Sequence, residues 1–289
     1  MLYNNLSGYL RKKYEKRLKK ICIDAGFTCP NRDGKVGTGG CIFCGERGAG
    51  EHIDASAGIK EQVLKTIEAS RCDEQFIAYF QNFTNTYADI ETLKSRYDAA
   101  LISDRIKVFS VGTRPDCIDE DVALLLRGYK DKYEVWVELG LQTANDITAE
   151  RINRGYTREC FEKAADILKS HGLKIVVHLM IGLPGESFDD VKNTLEYLSR
   201  FDIFGIKIHS LYVMRGTKLE KDFLSGDYVP LSLEEYAEAA AYIIKNAPPG
   251  VVFHRITGDC PKGLLVAPEW NKDKRLVIKK IEEKLQNQS

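Results

Sequence analysis

Apolar and polar positions along this chain follow two repeats in turn. Short runs rich in Val, Ile and aromatic residues fall at 19–26, 74–81, 105–112, 133–140, 173–182 and 205–213, and read as strands. Between them, residues 59–70, 90–101, 119–129, 158–170 and 187–200 carry apolar side chains three and four apart, the spacing of a helix with one buried face. Six strands alternating with helices predict an α/β fold, a parallel sheet of uniform handedness that curls toward a full or partial (β/α)6 barrel of the TIM type. A helix pattern at 231–247, a strand pattern at 251–257 and a charged helix pattern at 272–286 predict a short C-terminal α/β extension packed on the barrel. The chain thus divides into a basic N-terminal segment at 1–20, a barrel at 21–225 and the extension at 226–289.

Composition narrows the class of protein. A chain of 289 residues, 44% hydrophobic, can bury a core of its own. Its 42 basic and 42 acidic residues cancel, so no global field draws it to nucleic acid or membrane, and any attraction is local. Two stretches offer one: Arg11, Lys12, Lys13, Lys16, Arg17, Lys19 and Lys20, and then Lys272, Lys274, Arg275, Lys279, Lys280 and Lys284. They suit phosphate contacts and equally suit a solvated surface. No run of about 18 apolar residues occurs, and the N-terminus lacks a secretory apolar core, so a cytoplasmic protein with no membrane partner is expected.

The cysteines carry the chemistry. Of eight, Cys72, Cys117, Cys160 and Cys260 stand singly and read as small buried hydrophobes. Cys29, Cys41 and Cys44 crowd into TCPNRDGKVGTGGCIFCGERGAG, residues 28–50, a glycine-rich loop after the first strand. In parallel α/β architectures such loops form the active face. Clustered thiolates in a reducing compartment hold zinc or an iron–sulfur cluster. A structural zinc site asks for four ligands, whereas a four-iron cluster on three thiolates leaves one iron open. Cys22 would be a fourth ligand, but it lies between Ile21 and Ile23 in a strand pattern and reads as core. The glycines and the Ile42–Phe43 pair fit a loop wrapped closely about a bulky cofactor.

Successive strands are followed by YFQNFTNTY (79–87), SVGTRPDCI (110–118), VELGLQTANDITAERINRGYT (137–157), HLMIGLPGES (178–187) and IKIHSLYVMRGTKLE (206–220), and the tail contains VAPEW (266–270). Together with the C-x11-C-x2-C spacing, this order resembles the radical S-adenosylmethionine (SAM) superfamily. The resemblance is to its branch with widely spaced cysteines, the YhcC/YtqA group related to the catalytic subunit of Elongator. It implies a partial barrel of the radical SAM kind and a [4Fe-4S] cluster on Cys29, Cys41 and Cys44. S-adenosyl-L-methionine would be bound with help from Gln81, Glu138 near the ribose, Gln142, and Arg154 on the carboxylate. The implied chemistry is one-electron cleavage of SAM, fed by an external electron donor, to methionine and a 5′-deoxyadenosyl radical.

The resemblance also implies a substrate, the wobble uridine of tRNA. The Elongator subunit's acetyltransferase domain has no room after residue 289, so the expected step is a later one on the same base. That step is conversion of 5-carboxymethylaminomethyl-(2-thio)uridine toward 5-aminomethyl-(2-thio)uridine, with a downstream tRNA methyltransferase to finish it. Tyr79, Phe83 or Tyr87 would receive the unstacked base. Two alternatives stay open: a radical SAM enzyme acting on a small metabolite, and a non-enzymatic zinc-bearing RNA-binding protein using Cys22, Cys29, Cys41 and Cys44. His178 and His209 read as core or barrel-lining residues, and Asp24, Asp116 and Glu186 as groups that cap or orient helices.

Overall fold

The fold is taken from a computed structural model, which describes residues 2–287 other than 49, 51, 52, 55 and 262. It runs α1 (Leu6–Tyr14), β1 (Leu18–Ile23), α2 (Ile59–Glu68), β2 (Gln75–Phe80), α3 (Ile90–Ala100), β3 (Ile106–Thr113), α4 (Glu120–Arg127), β4 (Glu134–Gln142), α5 (Asp146–Arg151) and α6 (Arg158–Ser170). The second half is β5 (Lys174–Ile181), α7 (Phe188–Leu198), β6 (Gly205–Ser210), β7 (Val213–Met214), α8 (Lys218–Leu224), α9 (Leu233–Asn246), β8 (Val252–Arg255), β9 (Leu265–Ala267) and α10 (Lys274–Asn287). All six expected strands form, and they pair in parallel in sequence order.

The C-terminal strand differs from expectation. Instead of standing apart in an accessory segment, β8 pairs in parallel with β6 and becomes the seventh strand of the main sheet. The physical reason is the edge: without β8, β6 would present a row of unpaired N–H and C=O groups. The sheet remains open between β8 and β1, giving a partial barrel. At that opening Asn5 bridges Phe253 of β8, with the Phe253 N–H donating to Asn4 O at 2.8 Å.

Strand alternation sorts side chains into two layers. Ile21, Ile23, Phe80, Val111, Val137, Val177 and Ile208 face outward and pack with the helices in the main core. Inward-facing Leu18, Ile77, Val108, Trp136 and Val176 fill the lower lumen together with Leu10 of α1, so α1 plugs the barrel at the amino ends of its strands. A third apolar group, Ile42, Ile152, Leu183, Leu211, Val213, Leu219, Tyr228 and Ala267, ties the cysteine loop to α5, α8 and the small β7–β9 sheet.

Candidate active site

The loop after β1 carries the three clustered cysteines at the carboxyl end of the sheet, and its hydrogen bonds show how it is held. Within the Cys41–Cys44 turn, Cys44 N–H donates to Cys41 O at 2.9 Å. Ile42 is the anchor: it is buried, its N–H donates to Ile152 O at 3.1 Å, and its carbonyl accepts from Leu219 N–H at 2.9 Å. Arg32 donates to the carbonyls of Cys44 and Gly45 at 3.2 and 2.5 Å. Asn31 is fully buried, and its Nδ2 donates to Asn153 O at 2.5 Å and lies 4.0 Å from Cys41 Sγ. Gly37 lies so close that a Cβ there would sit 2.3 Å from Asn31 Oδ1, which is why the loop needs glycine at that point.

Arg114, in the TRPD segment after β3, grips Asp116 through Nε at 2.9 Å and Nη2 at 2.7 Å. Its Nη1 donates to Arg154 O at 2.9 Å and lies 4.0 Å from Cys29 Sγ, so a fixed cation stands beside that thiol. Burial pushes the Cys41 thiol up to about 12, with Cys44 adding to the rise and Arg114 opposing it. A thiolate in such a place calls for a cationic partner, which is what iron supplies. Among the described residues no three His, Cys, Asp or Glu side chains close round a single metal ion. Three thiols on one glycine-rich loop, with the buried acceptors Asn82 Oδ1, Thr84 Oγ1 and Asn85 Oδ1 on the neighbouring loop unpartnered among the described residues, fit a cluster with a polar ligand beside it.

The other expected residues fall into two groups. Gln81 directly follows β2, its N–H donating to Ile23 O at 3.2 Å, and Gln142 ends β4 at a register shift, with a φ of 61°. Both therefore stand at carboxyl ends of strands, on the side of the cysteine loop. Arg154, which the resemblance assigns to the carboxylate of SAM, is engaged by the protein's own groups. It is fully buried, and its guanidinium is engaged by Leu141 O (2.5 Å), Thr143 O (2.7 Å), Tyr156 O (3.0 Å) and Asp146 (3.2 Å). It locks the turn after β4, which in turn presents Asn153 to the cysteine loop, where Asn153 Nδ2 donates to Gly40 O at 2.8 Å. Glu138, expected near the ribose, stands in the middle of β4. It is buried in the lumen, accepting from Ser110 Oγ at 2.7 Å, pairing with His178 Nε2 at 2.8 Å and forming an ion pair with Lys207.

Cys22 also faces the lumen, among Leu18, Tyr79 and Trp136, and its thiol feels Lys20, Lys207 and Arg255 rather than the other three cysteines. Tyr79 is buried there too, with Lys207 and Lys20 over its ring at 4.3 and 5.4 Å, so it is not placed to receive a base at the rim. The basic N-terminal stretch lies at the opposite mouth of the barrel, at the amino end of β1. Lys13, Lys16 and Lys19 are already paired with Glu134, Asp73 and Glu74. Five of the six expected C-terminal cations, Lys272, Lys274, Lys279, Lys280 and Lys284, are likewise paired with acidic neighbours. Sequence reasoning missed the loop's own clamps, Asn31, Arg32, Arg114 as a cation beside Cys29, and Asn153. The signal for Arg114 and Asn153 was present in the TRPD and NRG motifs, of which only Arg154 was read for a ligand contact, while Asn31 and Arg32 lie in neither.

A curled parallel sheet with a thiol-bearing loop at its carboxyl ends defines a class, the half-barrel enzymes that house an iron–sulfur cluster at the mouth. The chain belongs to the radical SAM superfamily: that family's profile matches residues 31–198, and the Radical_SAM C-terminal domain matches residues 203–287. It is 38% identical to Protein YhcC of Escherichia coli (strain K12) over 93% of this chain and 87% of that one. It is 36% identical to YtqA of Bacillus subtilis (strain 168) over 99% and 90%. A tRNA uridine(34) acetyltransferase of Methanocaldococcus jannaschii is 32% identical across 56% of this chain and 30% of its own. Among solved structures, an N-terminally truncated Elp3 from Methanocaldococcus infernus superposes with a TM-score of 0.66 at 22% identity, over 92% of this chain and 63% of that one. The protein is therefore a radical SAM enzyme, and the non-enzymatic zinc reading is set aside.

Proposed function

We propose that this enzyme acts on the wobble uridine of tRNA, converting 5-carboxymethylaminomethyl-(2-thio)uridine toward 5-aminomethyl-(2-thio)uridine. The observation that carries the reading is the cysteine loop, held at the carboxyl ends of the strands over a polar lumen, in a chain similar to a tRNA uridine(34) acetyltransferase. Cys29, Cys41 and Cys44 would hold a [4Fe-4S] cluster, and Gln81 and Gln142, at the neighbouring strand ends, would help to bind S-adenosyl-L-methionine. When bound, these groups supply the one-electron cleavage that yields a 5′-deoxyadenosyl radical. The chain's own part is to fix the loop through Ile42, Asn31, Asn153 and Arg114 and to wall the reaction off from water. A cavity of about 640 Å³ beside Cys41 and Cys44, lined by Arg32, Arg151 and Lys218 together with Glu46 and Glu150, gives a tRNA loop a polar surface with a small excess of cations on this face.

The reading requires an external electron donor and a methyltransferase that takes up the aminomethyl product, and it places the enzyme in the cytoplasm. Its test is the nucleoside content of tRNA from a strain lacking the gene. The carboxymethylaminomethyl form should accumulate and the aminomethyl form disappear. The wild-type gene should restore both, and Cys29→Ala, Cys41→Ala or Cys44→Ala should not, whereas Cys22→Ala should. Unchanged nucleosides, with purified protein still forming 5′-deoxyadenosine, would turn the assignment to a small-metabolite substrate.

A further inference from the structure

The lumen beneath the cysteine loop contains more positive charge than its own carboxylate can balance. Glu138 is the hub: it receives Ser110, His178 and Lys207, and with Lys207 it makes a closed ion pair. Burial raises the Glu138 carboxyl, but Lys207 and the bond from His178 outweigh it and hold it well below the usual range. Burial pushes Lys207 down to about 7, although Glu138 draws it up, with Lys20 and Arg255 adding to the fall.

Two cations then remain unmatched. Lys20 points inward from β1; burial lowers it and the more distant Glu138 opposes the fall, but Glu138 is paired with Lys207, and the direct contact of Lys20 is the Tyr79 ring. Arg255 reaches the lumen because a one-residue register shift sets it, and not His254, beside Lys207 in the β6–β8 pair. Among the described residues its guanidinium donates no hydrogen bond and forms no salt bridge within 4.0 Å, and its charge acts on Lys20, Lys207, His178 and His209. Next to them His209 Nε2 is buried without a partner among the described residues, its ring 5.1 Å from that of His178. Cations held partly out of water without a carboxylate of their own are unfavourable. An arrangement with two of them, a forked donor and an orphan imidazole lacks one thing, a compact anion.

We infer that the lumen is the binding subsite for a carboxylate of the substrate, taken by the fork of Arg255 with Lys20 and His209 beside it. Arg matches a carboxylate through two parallel N–H donors, and Glu138, held by Lys207, His178 and Ser110, walls the subsite on the other side. The inference deepens the wobble-uridine reading, and rests on it only for which molecule bears the carboxylate: the carboxymethylaminomethyl side chain ends in one and its product does not.

The test begins with the carboxylate alone. Thermal unfolding of the anaerobic, cluster-loaded protein is followed with acetate, with neutral acetamide and with inorganic phosphate at fixed ionic strength. At about ten times its Kd, acetate should raise the Tm by roughly 3 °C. Acetamide should do nothing and phosphate less than acetate. Arg255→Gln should abolish the response without lowering the Tm of the unliganded protein, since an unpaired cation has been removed, and Arg255→Lys should keep part of it. Equal responses to acetate and acetamide, a stronger one to phosphate, or an undiminished one in Arg255→Gln would overturn the inference. So would loss of the acetate response when SAM is present, which would assign the anion site to SAM's own carboxylate. In a second arm, 5-carboxymethylaminomethyluridine should bind the wild type at least tenfold more tightly than 5-aminomethyluridine, and Arg255→Gln should lose that preference. An acetate response with no binding of either nucleoside would leave the subsite standing and overturn the wobble-uridine reading.

Discussion

Glu186 closes the GLPGE turn with one carboxylate oxygen, Oε1, buried and unpartnered among the described residues. Burial pushes it up to about 7, against a hydrogen bond with Thr143 and with Asp190 adding to the rise. In the unfolded chain it titrates near the ordinary value of about 4.5. The folded state therefore binds this proton more tightly, so the stabilisation is full below about 4.5 and is lost as pH rises through about 7, up to roughly 3 kcal/mol. Glu186→Gln should flatten that slope in urea unfolding measured from pH 4 to pH 8, and a variant with the wild-type slope would remove Glu186 as its source. At this scale the sequence was readable for residue type but ambiguous for role. Arg154 and Glu138 stood in the right motifs, yet both side chains turn to the protein's own interior, Arg154 to carbonyls of the turn just before it and Glu138 to a lysine from a distant strand.

The cysteine loop is the element on which the site depends, and its two faces do different work. Cys41 and Cys44 bracket a turn whose intervening Ile42 is buried against Ile152 and Leu219, so the thiols stay put because an apolar side chain is anchored behind them. Ile42→Ala should lower stability by about 3 kcal/mol through the cavity it leaves, and should reduce the iron retained per chain after gel filtration. Phe43→Ala, at a partly buried position, should have a smaller effect on both. Full iron retention by Ile42→Ala would separate the anchor from the cluster. The long helices and six strands were legible because their periodicity is strong. The short helix α1 was not: its signals were only the Asn5 cap and the Leu6, Tyr9, Leu10 spacing within a basic run.

For the whole molecule, α1 decides how the barrel is closed at its base. Glu134, at the start of β4, accepts from Tyr9 at 2.6 Å, Tyr14 at 2.7 Å, Lys13 at 2.8 Å and Lys174 at 2.5 Å, binding the plug to the sheet. Burial raises this carboxyl, but bonds from Lys13 and Lys174 and then the tyrosines bring it down to about 2. A lowered carboxylate stabilises the fold above its unfolded value and loses that contribution as pH falls from about 4.5 to about 2. The shift corresponds to roughly 3 kcal/mol, which screening by nearby water reduces to about 2 kcal/mol. Glu134→Gln should therefore destabilise at pH 7 by about that amount and approach the wild type in acid, as read from denaturant midpoints across pH. An equal deficit at pH 3 and pH 7 would mean that packing, and not charge, holds the plug.

From the sequence alone came the order of strands and helices, the thiol loop after the first strand, and the family resemblance, because periodicity, turn formers and cysteine spacing are local properties of the chain. Tertiary structure decided the rest. Whether Glu138 faces a ligand or a lysine, whether Lys13 and Lys19 meet acids or solvent, and whether β8 stands apart or brings Arg255 into the lumen each depend on groups far apart in sequence. Burial and Coulomb interaction act through space, and the pattern along a chain does not contain those distances.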